Sequence, residues 1–464
     1  VGGAGAGVLA ALAGWFGPKA DGGGLMAALR PRLMQIAERI FAPIASFLLL
    51  AALSLATSAV ILGEWPSSDR QHMSAVFDRP WLLVQLPVTA GVLWLFSSLC
   101  CQVLSVNRFT LHHMYRNRLI RAYLGATRVD PKHPRHQDEI TGFDPQDNLL
   151  LDWIRPTQRP LHLLNFALNL TSGKRLAWQQ RKAASFTASP LRIGSWLLAY
   201  QKPKCYTDAG GLSLGTAIAI SGAAATPNMG YHTSRVLTFL MTIFNLRLGG
   251  WFPNPARHDP KLLGKASPDA PGALVAELLG QTGSDGDWVY LSDGGHFENL
   301  GLYEAVRRRC RFIVVSDASC DPKRHAADLG NAIQKIRVDF GIPIEYAGQP
   351  DFQGTLDSEG DHFALLRIGY AAADGGRAVD GWVLYLKPAL SRGLPADVQS
   401  YAAAAPAFPH QSTADQFYSE NQFEAYRHLG EETVRRLAGP LRGSLVDVFR
   451  SHTGSASRPA VAGR

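Results

Sequence analysis

The sequence predicts an α/β layered domain preceded by a transmembrane helical hairpin. Three observations predict it. Two long uncharged apolar runs lie within the first 107 residues. Short apolar runs of strand length then alternate with helical patterns. One of those runs ends in an acid followed by two glycines, at the position where open α/β sheets place their ligand sites.

Taken in order, residues 1–18 are apolar and glycine-rich, and they read as part of a further membrane segment. The chain opens on valine and not methionine, so a fragment or trimmed product is expected. From Phe41 to Gly63 about 23 residues carry no charge, and from Pro80 to Asn107 about 28 carry none. Each run is long enough to cross a hydrocarbon core as a helix, and buried core helices seldom run so far without a charge. Residues 19–107 are therefore expected to form a hairpin with spans at 41–63 and 80–107. Lys19, Arg30, Arg32 and Arg39 precede the first span, and Arg108, Arg116, Arg118 and Arg121 follow the second. The connecting loop holds only Arg70 and Arg79 beside three acids. The positive-inside rule then places residues 19–40, and everything after 107, in the cytoplasm.

Residues 108–160 are basic and then turn-rich, which predicts a juxtamembrane helix and a loop. Residues 161–450 form the expected α/β domain. Trp288 to Leu291 and Phe312 to Val315 read as buried strands. Residues 451–464 are rich in Ser, Gly and Ala and are expected to be disordered. Five cysteines lack zinc spacing, which argues against both a disulfide framework and a structural metal. No dinucleotide fingerprint, P-loop or calcium loop is present. The net charge of +8 sits largely beside apolar segments, which suits a bilayer better than a nucleic acid.

The stretch with most chemical content runs from Trp288 to Glu304. A strand ends at Ser292, Asp293 follows, and Gly294 and Gly295 permit a tight turn. A helix carrying Leu300, Tyr303 and Val306 leads to the next strand, so a βαβ unit is expected. The structural alternative is that Asp293 only caps a helix. His296 is read as either a substrate contact or a packed turn residue. Asn299 is expected to pin the turn, and Asp317 reads as a strand-end residue.

Asp293-Gly-Gly with Asn299 resembles the catalytic-aspartate motif of patatin-like and cytosolic phospholipases. Ile220-Ser-Gly-Ala-Ala-Ala-Thr-Pro-Asn-Met-Gly230 is similar to the segment preceding that aspartate in the same family. Asn165 to Phe186, Asp328 to Gly341 and Ser412 to Phe417 resemble the large bacterial membrane branch of these proteins. The resemblance covers most of 108–435. It implies a patatin-like fold, of which this chain holds the C-terminal part, on the cytoplasmic side of a bacterial inner membrane. It also implies hydrolysis of lipid acyl esters through a Ser–Asp dyad, with no cofactor and no metal. Asp293 would be the base partner of the serine.

The resemblance further implies a serine elbow and an oxyanion loop early in the domain. The one Gly-x-Ser-x-Gly here is Gly211-Leu-Ser-Leu-Gly215, and a polar, turn-like stretch precedes it where an elbow needs a buried strand. Ser213 fits better as the cap of a helix starting at Leu214, which puts the expected serine upstream of Val1 and leaves this chain alone inactive. A non-catalytic lipid-binding scaffold on the same fold is the rival reading, and an acyltransferase using the same dyad is a third.

Overall fold

The structure is a computed structural model. It describes residues 106–438 apart from the short stretches 108–109, 127, 129–133, 155–159, 174–179, 207–210, 264, 266, 269, 377, 413–414 and 416–417, with isolated positions at 84–99, 447 and 449. The chain divides into two compact units, one ending at Phe297 and the other continuing from Glu298.

The first unit is built on a six-stranded sheet. Its strands are β1 (Leu164–Asn169), β2 (Ala183–Ala188), β3 (Ile193–Ser195), β4 (Ala199–Gln201), β5 (Gly250–Pro253) and β6 (Trp288–Asp293), in the order β4-β3-β2-β1-β6-β5. Every pairing is antiparallel. All six residues of β2 are buried, so both sheet faces are covered. Sequence alternation is weak for that reason, because neither face needs to be polar.

One face packs under two helices, α1 (Leu111–Leu119) and α2 (Leu214–Ser221). Phe166 stacks on Phe186 with ring centroids 6.1 Å apart, and Leu168, Leu291, Leu214, Ala217 and Ile220 complete this core. Thr110 caps α1 by accepting from the His112 N–H. After α1 the chain winds into a π-turn that buries Ile120. A Cβ on Gly215 would stand 2.5 Å from Ile120, so α2 approaches this turn only because glycine is there.

The opposite face carries α3 (Arg235–Ile243) and α4 (Ala270–Leu278). Here Glu277 is fully buried, 2.6 Å from Arg247, and accepts from the Trp251 indole at 2.7 Å. Burial raises the Glu277 carboxyl more than Arg247 pulls it down. Arg247 also donates to the Val106 carbonyl. The Asn107 side chain donates to Trp251 O and accepts from Trp251 N, which satisfies part of the β5 edge.

The second unit has a four-stranded sheet of β7 (Phe312–Ser316), β8 (Ile344–Tyr346), β9 (Phe363–Ile368) and β10 (Gly381–Leu386), in the order β7-β10-β9-β8. Only the β7–β10 pair is parallel. Its helices are α5 (Leu302–Arg307), α6 (Ala327–Phe340), α7 (Ala396–Ala404) and α8 (Glu420–Ala438). Asp317 follows β7 and Lys387 follows β10, and the two meet in a buried ion pair at 3.1 Å. Tyr385 donates to the same Asp317 oxygen.

Two expectations are corrected. The first is the transmembrane hairpin: among the described residues no helix is long and apolar enough to cross a membrane. The 41–63 run, residues 1–18 and the tail 451–464 lie outside the described residues, and the 80–107 run is described only in part. Val106 and Asn107, placed at the end of a span by their lack of charge, pack instead on Trp251 and Tyr290 within the first unit. The longest described helix, α8, is 19 residues long and carries five arginine–glutamate pairings. The second correction concerns the βαβ unit. Strands β6 and β7 belong to different sheets, and β6 pairs antiparallel on both sides. Both runs are strands, as their apolar composition predicts, but composition does not encode pairing direction.

The buried pair makes a prediction. Glu277→Gln leaves Arg247 buried without its counter-charge and is expected to cost roughly 3–5 kcal/mol in denaturant unfolding. Replacing both partners together by Leu and Met should cost far less, since removing one partner is what exposes the penalty.

Candidate functional site

Strand β6 ends at Asp293, opposite Phe166 of β1. Asp293 leaves the strand at φ −46°, ψ 131° and caps a 3₁₀ turn, Gly294–His296. Its Oδ1 accepts from the Gly295 N–H at 2.7 Å, and among the described residues its other oxygen has no hydrogen-bond partner. Burial holds the carboxyl above the usual range, partly countered by the Gly295 bond. A Cβ on Gly294 would stand 2.7 Å from the Asn165 carbonyl oxygen, so the turn lies against β1 only with glycine there. Both glycines of the motif thus have distinct jobs. Gly294 lets the turn approach, and Gly295 donates to the carboxylate.

The C-terminal end of α2 meets the same corner. Ser221 donates to the Asn165 carbonyl at 2.9 Å. A Cβ on Gly222 would stand 2.6 Å from the Tyr115 hydroxyl, which places that phenol at the α2 terminus. Burial first, and then the Asp293 charge, raise the Tyr115 pKa. Beside them the Asn165 Oδ1 is a buried acceptor with no partner among the described residues. Tyr115, Asn165 and Ser221 had no signal in the sequence as site residues. Tyr115 lay in a stretch that reads as a basic juxtamembrane helix, and Ser221 lay at a helix end.

Beneath the turn a buried relay holds it in place. Asn169 donates to Ser292 Oγ at 2.8 Å, and Ser292 meets His296 Nδ1 at 2.8 Å. The Asn169 side-chain Oδ1 accepts from Gly230 N at 2.9 Å. His296 bonds the backbone at Ala224, and burial lowers its pKa to about 4. It is therefore neutral at pH 7, and its Nδ1 accepts the Ser292 proton. His296 is a packed turn residue. Ser292 is fully buried and engaged at both ends, so it is not presented as a nucleophile.

Ser213 lies elsewhere. It caps α2, accepting from Thr216 N at 3.2 Å and donating to Thr216 Oγ1 at 2.9 Å. Helix α2 has eight residues, which spans about 12 Å, and its other end is the one beside Asn165 and Gly294. The structure does not bring Ser213 to Asp293. Asn299 belongs to the second unit, where it donates to Asp328 at 2.8 Å. Its neighbour Glu298 accepts from Leu300 N and Tyr303 N and so caps α5.

A cavity of about 550 Å³ opens at the start of β6, lined by Trp251, Trp288, Ser172 and Asp287 among others. It sits at the opposite end of the strand from Asp293, some 17 Å away at about 3.4 Å per residue. The two are separate features. Among the described residues no cluster of His, Cys, Asp and Glu could hold a metal ion.

No family model matches the chain, and neither a curated protein nor a solved structure matches it.

Asp293 carries a pH prediction of its own. A carboxyl raised by burial contributes stability that is fully present below its unfolded-state pKa. That contribution is lost as pH rises through the folded value. Asp293→Asn keeps the oxygen that accepts from Gly295, so relative to wild type it should gain stability between pH 4 and neutrality. Melting temperatures of both proteins across that range check it.

Proposed function

We propose that this protein hydrolyses lipid acyl esters, with Asp293 as the base partner of a serine nucleophile in the manner of patatin-like phospholipases. The observation that carries the reading is the state of the Asp293 carboxylate. One oxygen is fixed by the Gly295 N–H and the other has no partner among the described residues. Burial raises its proton affinity. A positioned base with one open lone pair and an elevated pKa is what serine activation without a histidine requires. His296, the nearest imidazole on the turn, is buried and committed to Ser292, which fits a mechanism that bypasses histidine.

The chemistry is ordinary acyl transfer. The serine proton passes to the open oxygen of Asp293 as Oγ attacks the ester carbonyl. The tetrahedral intermediate collapses, and the alcohol leaves with that proton. Water then repeats the sequence on the acyl-enzyme and releases the fatty acid. Desolvation around Asp293 strengthens its pull on the proton at each step.

The cap bond itself favours a second reading, a lipid-binding scaffold on the same fold. An aspartate that closes a turn through Gly295 needs no catalytic reason to be there. Two serines at this corner, Ser221 and Ser292, donate to or meet protein partners.

One experiment separates the two. Full-length protein is treated with a fluorophosphonate probe, with Asp293→Asn alongside, and the adduct is mapped by mass spectrometry. The hydrolase reading expects a single labelled serine and a drop of about 10²–10⁴ in ester hydrolysis for the variant. Equal labelling and equal turnover in a folded Asp293→Asn protein would leave the aspartate a cap, and no labelling and no turnover in folded wild type would move the assignment to the scaffold.

A further inference from the structure

Helix α3 buries Thr238 and Met241 and turns Leu237, Ile243 and Phe244 towards solvent. Helix α4, packed against it, buries Ala273 and Glu277 and exposes Val275 and Leu279. Phe244 is 57% exposed and Leu279 60%. Scattered exposed apolar residues are normal on any protein, but these gather on two packed helices, and a gathered patch marks an interaction site.

Neither helix of this face presents an acid to solvent. Helix α3 has no acid, and the one carboxylate of α4 is Glu277, buried against Arg247. At the cavity beside α4 stand the exposed acids Asp285 and Asp287, so the positive charge lies at the α3 end of the face. The end of the face nearest Asp293 has a basic rim. There the turn Gly230–His232 lies against the Asp293 turn, since a Cβ on Gly230 would stand 2.8 Å from His296 O and 3.4 Å from Arg181 O. Arg181, Lys182, His232 and Arg235 therefore collect where the apolar face reaches the candidate site, and Tyr231, 53% exposed, stands among them.

We infer that the α3–α4 face docks the first unit on the surface of an anionic lipid bilayer, apolar side chains below the headgroups and the basic rim among them. This rests on the lipid-hydrolase reading for its substrate and adds how that substrate is met. Apolar residues on one side with cations at the border are the composition of elements that lie in a membrane interface. With no exposed acid on either helix, the face itself adds no charge that anionic lipid would repel. Docked this way, the Asp293 turn sits beside the surface that holds the ester.

The test uses the full-length protein and sedimentation with vesicles of phosphatidylcholine, with and without phosphatidylglycerol. Leu237→Asp, Phe244→Asp and Leu279→Asp are each expected to lower partitioning about tenfold, the value of one apolar side chain withdrawn from the interface. Arg235→Glu should remove only part of the gain that phosphatidylglycerol brings. Val338→Asp, an equally exposed apolar position on α6, should partition as wild type does. Unchanged partitioning of the three face variants overturns the proposal. So does a fall in their melting temperature or a change in self-association, because the face would then be covered by protein. Asp293→Asn should sediment like wild type. Absence of ester hydrolysis by the wild type would sink the hydrolase reading while leaving the docking result standing, and unchanged sedimentation of the face variants would do the reverse.

Discussion

The antiparallel pairing of β1 with β6 is the constraint on which the rest of the first unit depends. Its register sets Phe166 opposite Asp293 and Leu168 opposite Leu291. Side chains alternate across a sheet, so that register sends Phe166, Leu168 and Leu291 into the core under α2 and puts Asn169 and Ser292 together on the other face. A slip of one residue would exchange the two sets. It would bury Asn169 and Ser292 among aliphatic side chains and turn Phe166 towards the polar relay. The close contact of Gly294 with Asn165 and the Asn169–Ser292 bond both hold only in the observed register. They lock the pairing as much as they follow from it.

The two faces of this sheet solve different problems. Under α1 and α2 the core is aliphatic and aromatic, and stability there comes from area removed from water. Under α3 and α4 it is polar, with the Glu277–Arg247–Trp251 cluster and the Asn169–Ser292–His296 relay. Buried polar groups are tolerable only when they are satisfied, and most of these are. Such a network adds little net stability, but it allows few alternative packings. The turn that carries Asp293 is therefore held from below by polar bonds and above by a close backbone contact, which leaves its carboxylate little freedom.

The motif itself was legible. Asp293 at the end of an apolar run, followed by two glycines, predicts a strand and a tight turn, because few other residue types permit that geometry. The cap role of Ser213 was legible for the same local reason. What was not legible was which residues meet Asp293. Tyr115 lies 178 positions earlier in the sequence and in a different kind of segment, and Asn165 lies in a strand whose neighbours cannot be read from composition. The hairpin expectation failed at Val106 and Asn107 because an uncharged residue suits a protein core as well as a bilayer. Only the Trp251 and Arg247 partners across the fold distinguish the two.

By itself the sequence determined the local events: where strands β6 and β7 run, where α2 is capped, and that an acid followed by two glycines closes a turn after β6. These follow from backbone sterics and hydrogen bonds within a few residues. Tertiary structure alone decided that β6 and β7 belong to separate sheets, that Ser213 lies at the far end of α2 from Asp293, and that His296 is neutral and buried. Pairing direction, distance through space and desolvation depend on groups far apart in the chain, and no local pattern of residues carries them.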